Sequence, residues 1–213
     1  MFIGLPPTIA VGTAKFGAFG AIIGSITRFK GSGHIRWDYV LILTLIGLPA
    51  SYLGIHLLLS VGDQIIKTIV AAALFLTSAV LYLNRSLGVK RVVTSQSQKV
   101  AGYIGEFFIG LLHAGFSSGI GLLALPVHMY FLGMTAIEAN ATLKIPAVAK
   151  SVVIFITIVA AGIVSWGHAI AILLGSSIGS YIGAHIAIKK GNRFVKVVYA
   201  ILLVAMSAKL LFS

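Results

Sequence analysis

The chain has 213 residues, of which 59% are hydrophobic and only 9% charged. An ordinary soluble domain carries roughly 25% charged residues. A mean hydropathy of +1.07 therefore excludes both a soluble globular fold and a disordered chain. The net charge of +12 comes from Lys and Arg clustered between apolar runs. That placement points to orientation in a membrane and away from nucleic acid.

A bilayer crossing takes about 20 apolar residues, so the length allows about seven or eight crossings and no separate soluble domain. Long apolar runs predict helices, not the alternating strands of a barrel. The expected fold is all-α, a polytopic transmembrane helical bundle. In chain order the apolar segments are 8–27, 38–59 and 65–83, then 101–132, 137–161, 167–188 and 194–212. A polar stretch, NRSLGVKRVVTSQSQK at 84–99, separates the two groups. The 101–132 segment is too long for one plain crossing. The glycines of GFSSGIG at 115–121 break it, which predicts two short helices of about 15 residues each. Met1–Ala14 has neither a basic start nor a small-residue cleavage site, so no signal peptide is expected. The absence of cysteine excludes a disulfide framework, a thiolate metal site and a cysteine nucleophile.

A shift of 129 residues lays the first three segments on the last three without a gap. Thr13 meets Thr142, Lys15 meets Lys144, Trp37 meets Trp166, and SYLGIH (51–56) meets SYIGAH (180–185). Apolar letters match easily by chance in such a chain; Lys, Trp, Tyr and His at one fixed offset do not. We expect an internal duplication. Repeat one covers 1–83, a basic linker 84–100, and repeat two 101–213. Phe2 and Ile3 align with Phe131 and Leu132, the tail of the 101–132 segment. Repeat one is thus expected to lack its first element.

Charge orients the repeats. The 28–36 loop carries Arg28, Lys30 and Arg36, while its counterpart in repeat two has no Lys or Arg. Lys189, Lys190 and Arg193 lie in a loop whose repeat-one counterpart is nearly neutral. If basic loops face the cytoplasm, then 28–36, 84–99 and 189–193 are all inside. Equivalent loops then fall on opposite sides, which makes an inverted repeat. The 101–132 segment must enter and leave on one side, as a re-entrant hairpin. The alternative is a parallel repeat in which it crosses once.

Candidate substrate-binding residues follow. Helix restarting after Gly119, with Gly121 in its first turn, would aim free N–H groups at the break, beside the hydroxyls of Ser117 and Ser118. That suits an anion; the alternative, glycine-rich packing between helices, does not explain why the break falls in a segment of the wrong length for one crossing. Lys15 and Lys144 each sit roughly 10 Å into their segments. Charges at that depth are costly and usually functional, unless the stems snorkel to the interface. Thr13 and Thr142, two residues earlier, offer donors beside them, and Pro146 weakens the helix next to Lys144. Glu106 and Lys150 are expected either to pair structurally or, with His113 two turns after Glu106, to form a charge or proton relay. His128 is a weaker candidate. Trp37 and Trp166 read as interfacial anchors. No metal or catalytic set is expected.

Several stretches resemble the sulfite exporter TauE/SafE family of membrane permeases. They are LPP (5–7) with AVGTAKF (10–16), EANATLK (138–144), GLLHAGFSSGIGLLALP (110–126), WGHAIAILLGSSIGSYIGAHIA (166–187) and AMSAKLL (205–211). Ser117 and Ser118 stand where the family commonly has glycine. The resemblance implies a multi-pass permease of the cell inner membrane for sulfite, a sulfonate or another small anion. No GxxxxGK loop is present, so ATP hydrolysis and other cofactors are not expected. The expected partners are the anion, the lipid bilayer and, optionally, further copies of the chain. An intramembrane enzyme and a non-transporting assembly partner remain the alternatives.

Overall fold

A computed structural model describes residues 6–58, 63–84, 86–115 and 121–211. Within them lie eight helices and no strand. They are α1 (Pro7–Lys30), α2 (Trp37–Leu58), α3 (Asp63–Leu83), α4 (Gln96–Gly115), α5 (Gly121–Phe131), α6 (Ala136–Ala160), α7 (Trp166–Lys190) and α8 (Asn192–Leu211). The starts of α6, α7 and α8 follow those of α1, α2 and α3 by 129 residues in each case.

Helix direction follows from the contacts. In α1 and α7, Thr13 meets Ser165, Gly17 meets Ile172 and Arg28 meets His185, so the two run parallel. Likewise Arg36, just before α2, meets Thr142 of α6, and Gly47 meets Lys150. The chain reverses between α1 and α2, so α1 and α6 run in opposite directions. Phe16 and Phe19 of α1 pack on Phe155 of α6, with ring centroids 5.1 and 6.5 Å away.

The seam between α1 and α7 is made of small residues. A Cβ on Gly20 or Gly24 would press into Leu173, Ser176 and Ser177 or into Ser177 and Ser180. The bare glycine backbone leaves carbonyls open. The Ser176 hydroxyl donates to Gly17 O at 2.6 Å, and that of Ser177 to Gly20 O at 2.9 Å. Lipid offers no hydrophobic drive between helices, so close approach and interhelical hydrogen bonds hold such a pair. On its outer face α7 exposes Ile170, Leu174, Ile178, Ile182 and Ile186, an apolar stripe suited to lipid. Trp37–Gly54 and Trp166–Lys190 are long and apolar enough to cross a bilayer.

The 101–132 segment forms a hairpin. Gly105 packs on Val127, and Gly102 on Phe131 and Leu132, so α4 and α5 are antiparallel. Its helices are unequal, because α4 begins at Gln96, inside the polar stretch. The Ser95 hydroxyl accepts from Gln98 N–H, while Gln98 Oε1 accepts from Ser95 N–H at 2.8 Å. That reciprocal capping box starts the helix ahead of its apolar part. The described residues thus form six long helices and one hairpin.

Both ends of the hairpin meet the linker. Val92 N–H donates to Gly133 O at 3.0 Å, and Ala136 N–H to Gly88 O at 2.8 Å. Arg91 pairs with Glu138. Asn192 ties Val89 O to Ile137 N–H, and Lys196 donates to Asn84 O. Arg36 shares a small pocket with Arg91, Thr94 and Lys99. The three basic stretches therefore gather on one face of the molecule.

Candidate functional site

A cavity of about 420 Å³ opens between α1, α4, α5, α6 and α8. Lys15 reaches it from α1, Lys144 and Lys150 from α6, Glu106 from α4, and Tyr199 from α8. Phe16, Phe19, Ile22 and Phe155 supply apolar wall. The helical period explains the set on α6: Asn140, Leu143, Lys144, Ala147, Lys150, Ser151 and Phe155 recur at three- and four-residue spacing on one face. Lys15 with Lys144, Ala18 with Ala147 and Ile22 with Ser151 are pairs at the 129-residue offset, and all line this one cavity. Oppositely directed α1 and α6 thus present matching faces to it.

The charges divide into two groups. Lys150 Nζ donates to Glu106 Oε1 at 2.9 Å. Glu106 is 1% exposed and His128, fully buried, holds its Nε2 3.3 Å from Glu106 Oε2. Lys15 and Lys144 have no hydrogen-bond or ion-pair partner among the described residues. With Glu106 engaged by Lys150, the unbalanced charge of the cavity is positive. Gly121 and Leu122, the first residues of α5, also line the cavity. The start of a helix carries free N–H groups and the positive end of its dipole. Amine and amide donors on an apolar wall can hold a small anion and orient it.

Gly47 of α2 makes room for the ion pair. A Cβ there would lie 2.5 Å from Lys150 Cε and 2.6 Å from its Nζ. A larger residue there would have to displace the end of the Lys150 side chain from its place beside Glu106.

The sequence candidates are placed as follows. Lys15, Lys144, Lys150, Glu106 and Gly121 meet in the cavity. Thr13 and Thr142 are buried and do not line it; they serve the helix starts. Thr13 Oγ1 accepts from Ser165 N–H at 3.0 Å, ahead of α7, and Thr142 Oγ1 from Arg36 N–H at 3.0 Å, ahead of α2. Both bonds stand at the 129-residue offset, so each half caps the second helix of the other. Neither α1 nor α6 is interrupted beside its lysine, and α6 continues through Pro146. Ser117, Ser118 and Gly119 lie outside the described residues, as does the side chain of His113. His128 stands beside Glu106, because the α4–α5 hairpin brings together residues distant in sequence. Asn140, Ser151 and Tyr199 also line the cavity. For Asn140 and Ser151 the signal was available: each lies on the face of α6 that carries Lys144 or Lys150.

Residues 1–210 match the family model described as Sulfite exporter TauE/SafE. A probable membrane transporter protein of Haemophilus influenzae is 24% identical over 217 residues, covering 100% of this chain and 84% of that protein. Probable membrane transporter protein ORF9 of a Sinorhizobium species is 24% identical, over 99% of this chain and 81% of its own length. No solved structure matches the chain.

Proposed function

Since the chain belongs to the sulfite exporter TauE/SafE family of membrane transporters, we propose that it carries a small anion, sulfite or a sulfonate, through the cavity between α1 and α6. One observation carries this: two lysines without acid partners, from oppositely directed helices, line the same cavity. Ammonium groups with apolar walls around them attract an anion more strongly than they would in water. The same groups and the start of α5 repel a cation. Residues 1–83 and 101–213 act as inverted repeats about this site and alternate its access between the two sides. The gathered basic stretches face the cytoplasm, in the cell inner membrane. A purely structural role would need no polar cavity, and this one holds three lysines and a glutamate.

Sulfite uptake into proteoliposomes tests the proposal. Wild type should show saturable uptake, and the Lys15→Met/Lys144→Met pair should lose it while staying folded. Uptake by wild type no faster than by protein-free vesicles would refute transport of sulfite. Equal uptake by the pair would refute the site.

A further inference from the structure

We propose that Glu106, Lys150 and His128 form a proton-binding site that couples proton uptake to anion entry. The proposal rests on the anion reading above. Lys150 has two claims on its ammonium group: it donates to Glu106 Oε1 at 2.9 Å, and it lines the cavity with Lys144. An anion held by Lys15 and Lys144 competes for Lys150. Once Lys150 turns to the anion, Glu106 is a buried carboxylate without its cation, among the costliest states a folded chain can hold. A proton on Glu106 removes that charge. When the anion leaves on the far side, Lys150 returns to Glu106 and the proton departs to water there. One proton and one anion cross together, and no covalent bond in the anion changes.

His128 is placed to pass the proton. It does not line the cavity, so it meets Glu106 from the protein side. Among the described residues, neither of its ring nitrogens nor Glu106 Oε2 has a hydrogen-bond partner, although all three atoms are buried. A structural histidine in a core normally satisfies its nitrogens; this one stands 3.3 Å from a carboxylate oxygen that is equally unsatisfied. His128 lies near the end of α5, where its carbonyl accepts from Leu132 and Met134 N–H, beside the linker. The groups that face Glu106 are His128 from α5 and Lys150 from α6. Lys144 of α6, Lys15 of α1 and Tyr199 of α8 stand across the cavity, and α2 presents Gly47. Glu106 is the single carboxylate in the cavity wall among the described residues.

The test uses the full chain in proteoliposomes with sulfite as probe. Sulfite exchange at equal pH needs the cavity but no net proton movement. Accumulation against a sulfite gradient, driven by acid outside, needs the coupling site. Sulfite brings a proton of its own as bisulfite, so wild type and variant are compared under one gradient. Glu106→Gln keeps an oxygen acceptor for Lys150 and cannot exchange a proton. Its sulfite accumulation, taken relative to its own rate of exchange, should fall about tenfold, within the usual range of coupling between sites. His128→Gln, outside the cavity, should show the same fall and carries the test if Glu106→Gln does not fold. Gradient-driven accumulation at the wild-type level, relative to exchange, in either variant would overturn the proposal. Wild type that exchanges sulfite but ignores the pH gradient would overturn the coupling and spare the anion site. Wild type that exchanges no sulfite would overturn both.

Discussion

Three lysines line one cavity, and among the described residues only Lys150 has a carboxylate beside it. That difference separates their roles and can be measured as stability. Lys150→Met leaves Glu106 buried and unpaired, a defect of about 3–5 kcal/mol. The Glu106→Gln/Lys150→Met pair removes both charges and should recover most of that loss. Thermal unfolding of the four proteins in detergent reads the cycle. Equal melting of Lys150→Met and wild type would show that the pair does not hold the fold. Lys15→Met and Lys144→Met should not lower the melting temperature, because each removes a desolvated charge without a partner. Their cost should fall on the anion instead. That these residues would stand out was partly legible in the sequence. The depth of Lys15 and Lys144 and their shared offset single them out in the sequence alone. The partner of Glu106 was half legible: its pairing with Lys150 was foreseen, while His128 stood only as a weaker candidate with no link to Glu106. Spacing within one helix reveals neighbours three, four or seven residues away. A hairpin that brings position 128 to position 106 leaves no such trace.

Helix to helix, the α1–α7 seam is close enough to require glycine: a Cβ on Gly24 would run into Ser177 O. Gly20→Leu should wedge the two helices apart and destabilise the protein strongly, since the clash is with backbone as well as side chain. Ser177→Ala removes one interhelical hydrogen bond and should cost about 0.6 kcal/mol, the usual size of such a bond in a membrane protein. Equal stability of Gly20→Leu and wild type would show that the seam is looser than described. Thr142→Val should cost about 1 kcal/mol, the usual net worth of one hydrogen bond, because Arg36 N–H loses its acceptor. Apolar runs located α1, α2, α3, α6, α7 and α8 to within three residues. The start of α4 escaped because its first turn is polar. Ser95 and Gln98 spelled a capping box inside a stretch taken as linker. The threonines misled for a related reason. A hydroxyl two residues from a buried lysine suggests a shared ligand, but the helix turns it about 200° away, toward the start of a neighbouring helix.

For the whole molecule, the account requires the three basic stretches to lie on one side. Single cysteines at Ser32, Ser97 and Lys190 should all resist an impermeant thiol reagent in intact cells and react after the membrane is opened. Labelling of the cysteine at position 190 alone in intact cells would put α7 and α1 in opposite directions, against the contacts of Thr13, Gly17 and Arg28. The direction of α7 relative to α1 was legible as charge asymmetry. The cavity was not, because it depends on which faces of five helices converge. The central claim is that Lys15 and Lys144, arriving on oppositely directed helices, hold one anion between them. Sulfite affinity of the purified protein, wild type against Lys15→Met and Lys144→Met, tests it most directly. The account predicts that each substitution weakens binding by about tenfold or more, roughly 1.4 kcal/mol, and that Lys→Arg restores only part of it. Unchanged affinity in both methionine variants would contradict it.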